Sequence, residues 1–293
     1  MSHKAGFVNI IGNPNVGKST LMNALVGEKI SIITSKSQTT RHRILGIVNG
    51  DDFQILYSDT PGVIEPHYKL QEQMLHYSES ALSDADILLY VTDVYEKDDK
   101  NKEFLDKVLT HKAETIIVIN KIDMSEQEKV QMYIDRWQKL APDATIVVTS
   151  ALHNFNVEKV FYTILDNLPE SPAYFPKDSL TDKTERFFVE EIIREKILKH
   201  YKKEIPYSTQ AIVEEFKEEE KLIRIRVNIF VERESQKPII IGNKGAGIKR
   251  IGTEAREDIE EFFNKKVYLD LFVKVSKNWR NNDNRLKEFG YSS

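Results

Sequence analysis

The run Gly12-Asn-Pro-Asn-Val-Gly17-Lys18-Ser19 fits the pattern G-x-x-x-x-G-K-[ST]. No other feature of this chain restricts its fold as tightly. An apolar, strand-like stretch, Gly6–Ile11, precedes the run, and a helix-like stretch, Thr20–Val26, follows it. Strand, glycine loop and helix in that order distinguish a phosphate-binding loop from an ordinary turn. The glycines let successive backbone N–H groups converge on an anion. A helix starting near Gly17 points the positive end of its dipole the same way. Lys18 can then reach β- and γ-phosphates, and Ser19 can ligate Mg²⁺.

The rest of the first half suits such a loop. Strand-like runs at Arg43–Asn49, Phe53–Ser58, Ile87–Thr92, Thr115–Ile119 and Thr145–Thr149 alternate with helix-like runs at Lys69–Leu82, Lys102–Leu109, Glu126–Leu140 and Val157–Leu168. This alternation predicts an α/β domain with a mostly parallel sheet covered on both faces. Ligands of such sheets bind at the carboxyl ends of the strands. With 293 residues the chain has room for two domains. Pro169, Pro172 and Pro176 break the pattern, so the expected division is 1–170, a proline-rich linker 171–184, and a second domain 185–293.

Charge divides the chain at nearly the same place. Residues 1–175 hold 17 Lys+Arg against 24 Asp+Glu, and residues 176–293 hold 25 against 22. The second half alone is net positive, a weak pointer to a polyanion. There are no cysteines, which excludes disulfides and thiolate metal sites. No apolar run approaches 18 residues, and Met1–Ala5 lacks a signal pattern. A cytoplasmic protein is expected.

Three further segments fall at strand ends. In Asp59-Thr-Pro-Gly62, the aspartate can hold Mg²⁺ through water and the Gly62 N–H can meet a γ-phosphate oxygen, a contact that hydrolysis removes. In Asn120-Lys121-Ile-Asp123, a carboxylate can accept the paired N1–H and N2–H₂ of guanine, an edge that adenine lacks. Asn120 is placed to brace neighbouring loops and approach the base. Ser150-Ala151-Leu152 offers small residues whose backbone N–H groups can approach the base O6. A threonine between Ile30 and Ile44 can complete the Mg²⁺ shell; Thr39 and Thr40 compete, and Thr40 is preferred. The metal set is thus Ser19, Thr40 and Asp59. The nucleotide set adds Asn13, Asn15, Val16, Gly17, Lys18, Thr20, Gly62, Asn120, Lys121, Asp123, Ser150, Ala151 and Leu152.

In order and spacing, these segments resemble the five sequence boxes of the translation-factor-related GTPases over residues 5–168. The resemblance implies GTP and GDP as ligands, with Mg²⁺. One departure matters. Ras-like proteins carry a water-orienting Gln directly after the D-x-x-G glycine, where this chain has Val63. Era-related GTPases share that substitution, and in some of them a phosphate-loop asparagine, here Asn15, helps hold a K⁺ that acts like an arginine finger. Lys18, Thr40, Gly62 and Asn15 are the catalytic candidates, with slow intrinsic turnover that a partner accelerates.

The second half reads as a helix Arg186–Tyr201, strands Thr209–Phe216 and Leu222–Val231, a strand-like run Pro238–Ile241, a helix Ile248–Phe263 and a strand Lys266–Val275. Between the run and the next helix lies Ile241-Gly242-Asn243-Lys244-Gly245, a G-x-x-G loop. Such loops in KH domains clamp the backbone of about four nucleotides. Lys244, Lys249 and Arg250 supply cations, and Ile240, Ile241, Ile248 and Ile251 an apolar floor or plain core. The order resembles a smaller α+β domain of the type II KH class. That domain joined after this GTPase domain resembles the Era-type GTPases.

The Era resemblance implies the 3′ end of 16S ribosomal RNA and the 30S subunit as partners, no DNA, a monomer, and loose attachment to the inner face of the cell membrane in some members. A P-loop ATPase or kinase, a non-hydrolysing RNA scaffold, and a tRNA-modification or 50S-assembly GTPase remain the alternatives. His42, His67, His111 and His153 read as solvated, Asp98-Asp99 as loop surface, and Trp279 as either a base-stacking or an anchoring residue.

Overall fold

The computed structural model describes residues 3–96 and 101–291, so Asp98 and Asp99 lie outside the described residues. The chain divides into two compact units, residues 1–66 with 74–182, and residues 183–293 with 67–73.

The first unit is built on β1 (Lys4–Ile11), α1 (Lys18–Val26), β2 (Ile44–Asn49), β3 (Phe53–Asp59), α2 (Lys69–Ser83, its first turn grouped with the second unit), β4 (Ile87–Asp93), α3 (Lys102–Leu109), β5 (Glu114–Asn120), α4 (Gln127–Leu140), β6 (Thr145–Val148) and α5 (Val157–Asn167). Sheet order is β2-β3-β1-β4-β5-β6. All neighbours are parallel except β2 and β3. Every residue of β4 is buried, as a central strand with helices on both faces requires. Strand order reverses around β1, and the carboxyl ends of β1, β3, β4 and β5 deliver Gly12, Asp59, Asp93 and Asn120 to one edge of the sheet.

The proline-rich stretch runs along the outer edge of β2. Ile47 N–H donates to Leu180 O at 2.8 Å, Leu45 N–H to Asp182 Oδ1 at 3.0 Å, and Thr181 Oγ1 to Leu45 O at 2.6 Å. It satisfies backbone groups that an edge strand otherwise leaves open.

The second unit contains α6 (Glu185–His200), β7 (Thr209–Glu218), β8 (Leu222–Val231), α7 (Lys237–Ile241), α8 (Ala246–Phe263), β9 (Lys266–Val275) and α9 (Asp283–Glu288). β8 is the central strand, antiparallel to β7 and parallel to β9. Alternate residues of β8, Ile223 through Val231, enter one core with Val189, Ile193 and Ile197 of α6 and Ile251, Ala255 and Ile259 of α8.

One expectation changes, and one open alternative closes. The run Pro238–Ile241 is helical, not a strand: α7 begins with Lys237 and Pro238, and proline at a first helical turn loses no hydrogen bond. Trp279 is fully buried and its indole N–H donates to Ser208 O at 3.0 Å, so it anchors the fold and offers no face to a base. Among the described residues no helix is long and apolar enough to cross a membrane.

Candidate functional site

At the carboxyl edge of the first unit's sheet is a cleft of about 380 Å³, lined by phosphate-loop residues, residues 32–36 and 38–40, Gly62, and the segments at Asn120 and Leu152. Lys18, the first residue of α1, is buried and its Nζ donates to Gly12 O at 3.0 Å and Asn13 O at 2.9 Å. Burial lowers its pKa to about 8, with Asp59 and Glu96 pulling the other way.

The three metal candidates meet. Ser19 Oγ lies 2.6 Å from Asp59 Oδ2 and 2.9 Å from Thr40 Oγ1, and Thr40 Oγ1 lies 3.2 Å from Asp59 Oδ2. Thr39 turns elsewhere, with its hydroxyl 2.7 Å from Lys36 O and 2.6 Å from Thr34 Oγ1. Asp59 is wholly buried, which raises its pKa against the opposing effects of the Ser19 hydrogen bond and the Lys18 charge. Its second oxygen, Oδ1, meets no donor. Two hydroxyls and a carboxylate with an unmatched buried oxygen suit a hard, oxygen-seeking cation such as Mg²⁺. Gly62 packs against the phosphate loop; a Cβ there would stand 2.7 Å from Pro14 Cα.

At the base end, Asn120 is a brace. Its Nδ2 donates to Val16 O at 2.9 Å and its Oδ1 accepts the Ala151 N–H at 3.0 Å. Lys121 Nζ reaches Asn15 O at 2.5 Å and Asp93 Oδ2 at 2.7 Å. Asp123 lines the cleft with His153 Nε2 at 3.7 Å. Of the Ser150–Leu152 amides, Ser150 donates to Phe155 O and Ala151 to Asn120. The Leu152 side chain is exposed.

The glycine loop of the second unit joins α7 to α8. Gly242 has φ 74°, and a Cβ on it would meet Gly247 N at 2.6 Å. Lys244 also has positive φ, at 50°. Tyr201 at the end of α6 ties the loop down, its hydroxyl donating to Ile240 O at 2.7 Å. Ile240 and Ile251 are fully buried, while Ile241 and Ile248 are half-buried against the core. Asn243, Lys244, Lys249 and Arg250 are exposed, and among the described residues none of these cations is in an ion pair. The first turn of α8 carries no acidic residue, so its dipole and these cations act together on an anion.

Sequence reasoning missed Asp93, Asn101 and Tyr201. Asp93 could have been found as a polar residue ending a buried parallel strand. Asn101 and Tyr201 act across the fold and have no local signature.

Residues 7–121 match the family model described as a 50S ribosome-binding GTPase, and residues 204–280 match the KH domain model. GTPase Era of Clostridium kluyveri is 44% identical over 290 residues, covering 98% of this chain and 99% of that one. GTPase Era of Thermosipho melanesiensis is 47% identical over 283 residues, covering 96% and 95%. The chain belongs to the Era family of GTPases. Two solved Era structures superpose over 99% of this chain and 100% of theirs, each at 38% identity. One is Era in complex with MgGDPNP and nucleotides 1506–1542 of 16S ribosomal RNA, with a TM-score of 0.95. The other is a variant of Aquifex aeolicus Era bound to GDP·AlF₄⁻, with a TM-score of 0.94. The Era-type pairing of P-loop GTPase and KH domain covers both units of this chain.

Proposed function

We propose that this Era-family GTPase binds the 3′ end of 16S ribosomal RNA through its KH loop and serves maturation of the 30S subunit, switching with its nucleotide. The observation that carries this reading is the pairing, in one chain, of the Ser19–Thr40–Asp59 cluster with a G-x-x-G loop flanked by exposed, unpaired cations. The relative solved with MgGDPNP and 16S RNA supports it over the nearly full chain length. The 50S description matches only residues 7–121 and says nothing of the KH domain, which favours RNA as the second ligand.

In this reading Lys18 and the phosphate-loop amides of Asn13, Asn15, Val16, Gly17 and Thr20 hold the phosphates, and Asp123 reads guanine. Ser19, Thr40 and Asp59 hold Mg²⁺, which when bound screens the negative charge of the β- and γ-phosphates. The Gly62 N–H meets the γ-phosphate. Asn15, exposed and with φ 66°, is placed to share a K⁺ near the bridging oxygen. Loss of the γ-phosphate releases Thr40 and Gly62, so RNA and GTP favour each other's binding. The protein works in the cytoplasm, with loose contact to the inner membrane face as a secondary location.

Crosslinking to RNA in cells, comparing wild type with the Asn243→Asp/Lys244→Asp variant, tests the target. Reads should gather at the 3′ end of 16S RNA and vanish in the variant; scattered or persistent reads would refute it. Asp123→Asn should move base preference from guanine toward xanthine, and unchanged GTP selectivity would count against the base-reading role. Equal turnover in matched K⁺ and Na⁺ buffers would remove the K⁺.

A further inference from the structure

Val63 stands where the Ras-like pattern places a catalytic glutamine, and its side chain is buried, packed into the apolar cluster with Ile11, Tyr90 and Phe104. Whatever this position gives to hydrolysis comes from its backbone. That backbone is held at both ends. Val63 N–H donates to Gly12 O at 3.3 Å, and Val63 O accepts from Asn101 Nδ2 at 2.9 Å. The same nitrogen of Asn101 donates to Asn13 Oδ1 at 2.6 Å. One carboxamide therefore joins a phosphate-loop side chain to the main chain directly after Gly62. Since Gly62 already lies hard against Pro14, a shift at Val63 passes straight to the Gly62 N–H.

Asn101 is the N-cap residue of α3. Asparagine in that place ordinarily turns its side-chain oxygen onto an N–H of the first turn. Here it makes no such bond. The first turn closes through the Asn101 carbonyl, which accepts from Phe104 N and Leu105 N at 3.0 Å each. The side chain is diverted from local capping, and its two N–H donors face the nucleotide machinery instead.

We propose that Asn101 is a positioning residue for GTP hydrolysis, its carboxamide fixing the Gly62–Val63 main chain against the phosphate loop. It substitutes a fixed backbone for the mobile glutamine of Ras-like proteins, and holding a donor in its reacting position is the chief way such sites lower a barrier. The inference rests on the role of Gly62 proposed above.

Asn101→Asp tests it on the full-length protein, because aspartate caps a helix as well as asparagine but has no N–H to give. Asn101→Ala controls for the added charge. GTP turnover, GDP affinity and thermal unfolding are measured in Mg²⁺ and K⁺. For both variants kcat should fall about tenfold or more, with GDP affinity within about twofold of wild type and Tm within about 2 °C. Adding Asn13→Ala to Asn101→Ala should cost little more than Asn101→Ala alone, as expected for two members of one bridge. Unchanged kcat in both variants overturns the proposal, as does a fall in kcat matched by equal losses of GDP affinity and Tm. Wild-type turnover in the same assay reports on the GTPase chemistry itself, and the variant-to-wild-type ratio on Asn101.

Discussion

Asn120 Nδ2 donates to the Val16 carbonyl at 2.9 Å, joining the base-reading segment to the phosphate loop across 104 residues of sequence. The other end of the same amide accepts the Ala151 N–H. Three of the five boxes thus meet at one side chain. Asn120→Ala leaves a buried carbonyl and a buried N–H unmatched, a loss of about 1–3 kcal/mol for each such group. Both thermal stability and GDP affinity should fall. Differential scanning fluorimetry with and without GDP checks this; a loss of affinity with unchanged Tm would mean that Asn120 acts on the base alone.

The two threonines of the first switch offer a sharper contrast. Thr40 Oγ1 faces Ser19 and Asp59, while Thr39 Oγ1 is held by Thr34 and Lys36. Thr40→Ala should reduce GTP hydrolysis by roughly the 10- to 100-fold expected when about 1.5–3 kcal/mol of charge-assisted bonding is removed, and leave GDP affinity nearly intact. Thr39→Ala should stay within about twofold in both, because its half-buried bonds are local to the loop and contribute about 1 kcal/mol. Single-turnover hydrolysis of both variants decides; equal loss in the two would show that the whole loop, and not one hydroxyl, carries the contact.

Much of this was readable in advance because phosphate, Mg²⁺ and guanine each demand a short local pattern at a strand end. Gly12–Ser19, Asp59–Gly62 and Asn120–Asp123 are such patterns, and β1, β3 and β5 place them. The choice of Thr40 over Thr39 was only a preference from sequence, since neighbours in a loop differ by orientation and not by type. The helix at Lys237–Ile241 was misread because three consecutive isoleucines favour a strand, and a five-residue helix gives no periodicity to set against them. Asn101 was invisible because its partners lie 88 and 38 residues away. A buried ion pair of α6 was equally hidden: nothing in sequence marks Glu191 and Arg194 as interior, yet both are buried and their charged groups lie 2.5 Å apart.

Glu190 on α6 makes stability depend on pH. Its Oε1 accepts the Val213 N–H at 2.7 Å beside a break in the β7–β8 register. Burial pushes its pKa up from 4.5 to about 7, with Glu191 adding to the rise. The folded protein therefore holds a proton that the unfolded chain releases above about pH 4.5. Stability from this group is fullest below about pH 4.5 and is lost as pH rises toward 7. Glu190→Gln keeps the acceptor and removes the titration. It should raise stability by about 1–3 kcal/mol at pH 8 and change it little at pH 4.5. Urea unfolding of both proteins at the two pH values is the measurement, and an equal gain at both would assign the effect to something other than the proton.

Lys244 sits at the tip of the G-x-x-G loop, exposed and unpaired among the described residues, with Lys249 and Arg250 on the helix that follows. A cation so placed contributes to RNA affinity by releasing a condensed counterion, so its removal should appear in the salt dependence. Plotting log affinity for a single-stranded 16S 3′-end oligonucleotide against log salt, Lys244→Ala should lower the slope by about 0.7, the value for one phosphate contact on a single strand. GTP turnover without RNA should be unchanged, since the loop belongs to the other unit. The Gly242→Ala variant should fail differently. Its φ of 74° and the 2.6 Å approach of a Cβ to Gly247 N distort the loop itself, so affinity should fall at every salt concentration without the same change in slope. If both variants change only the slope, the loop acts as a patch of charge; if Gly242→Ala alone abolishes binding, its shape grips the backbone and Lys244 adds to that grip.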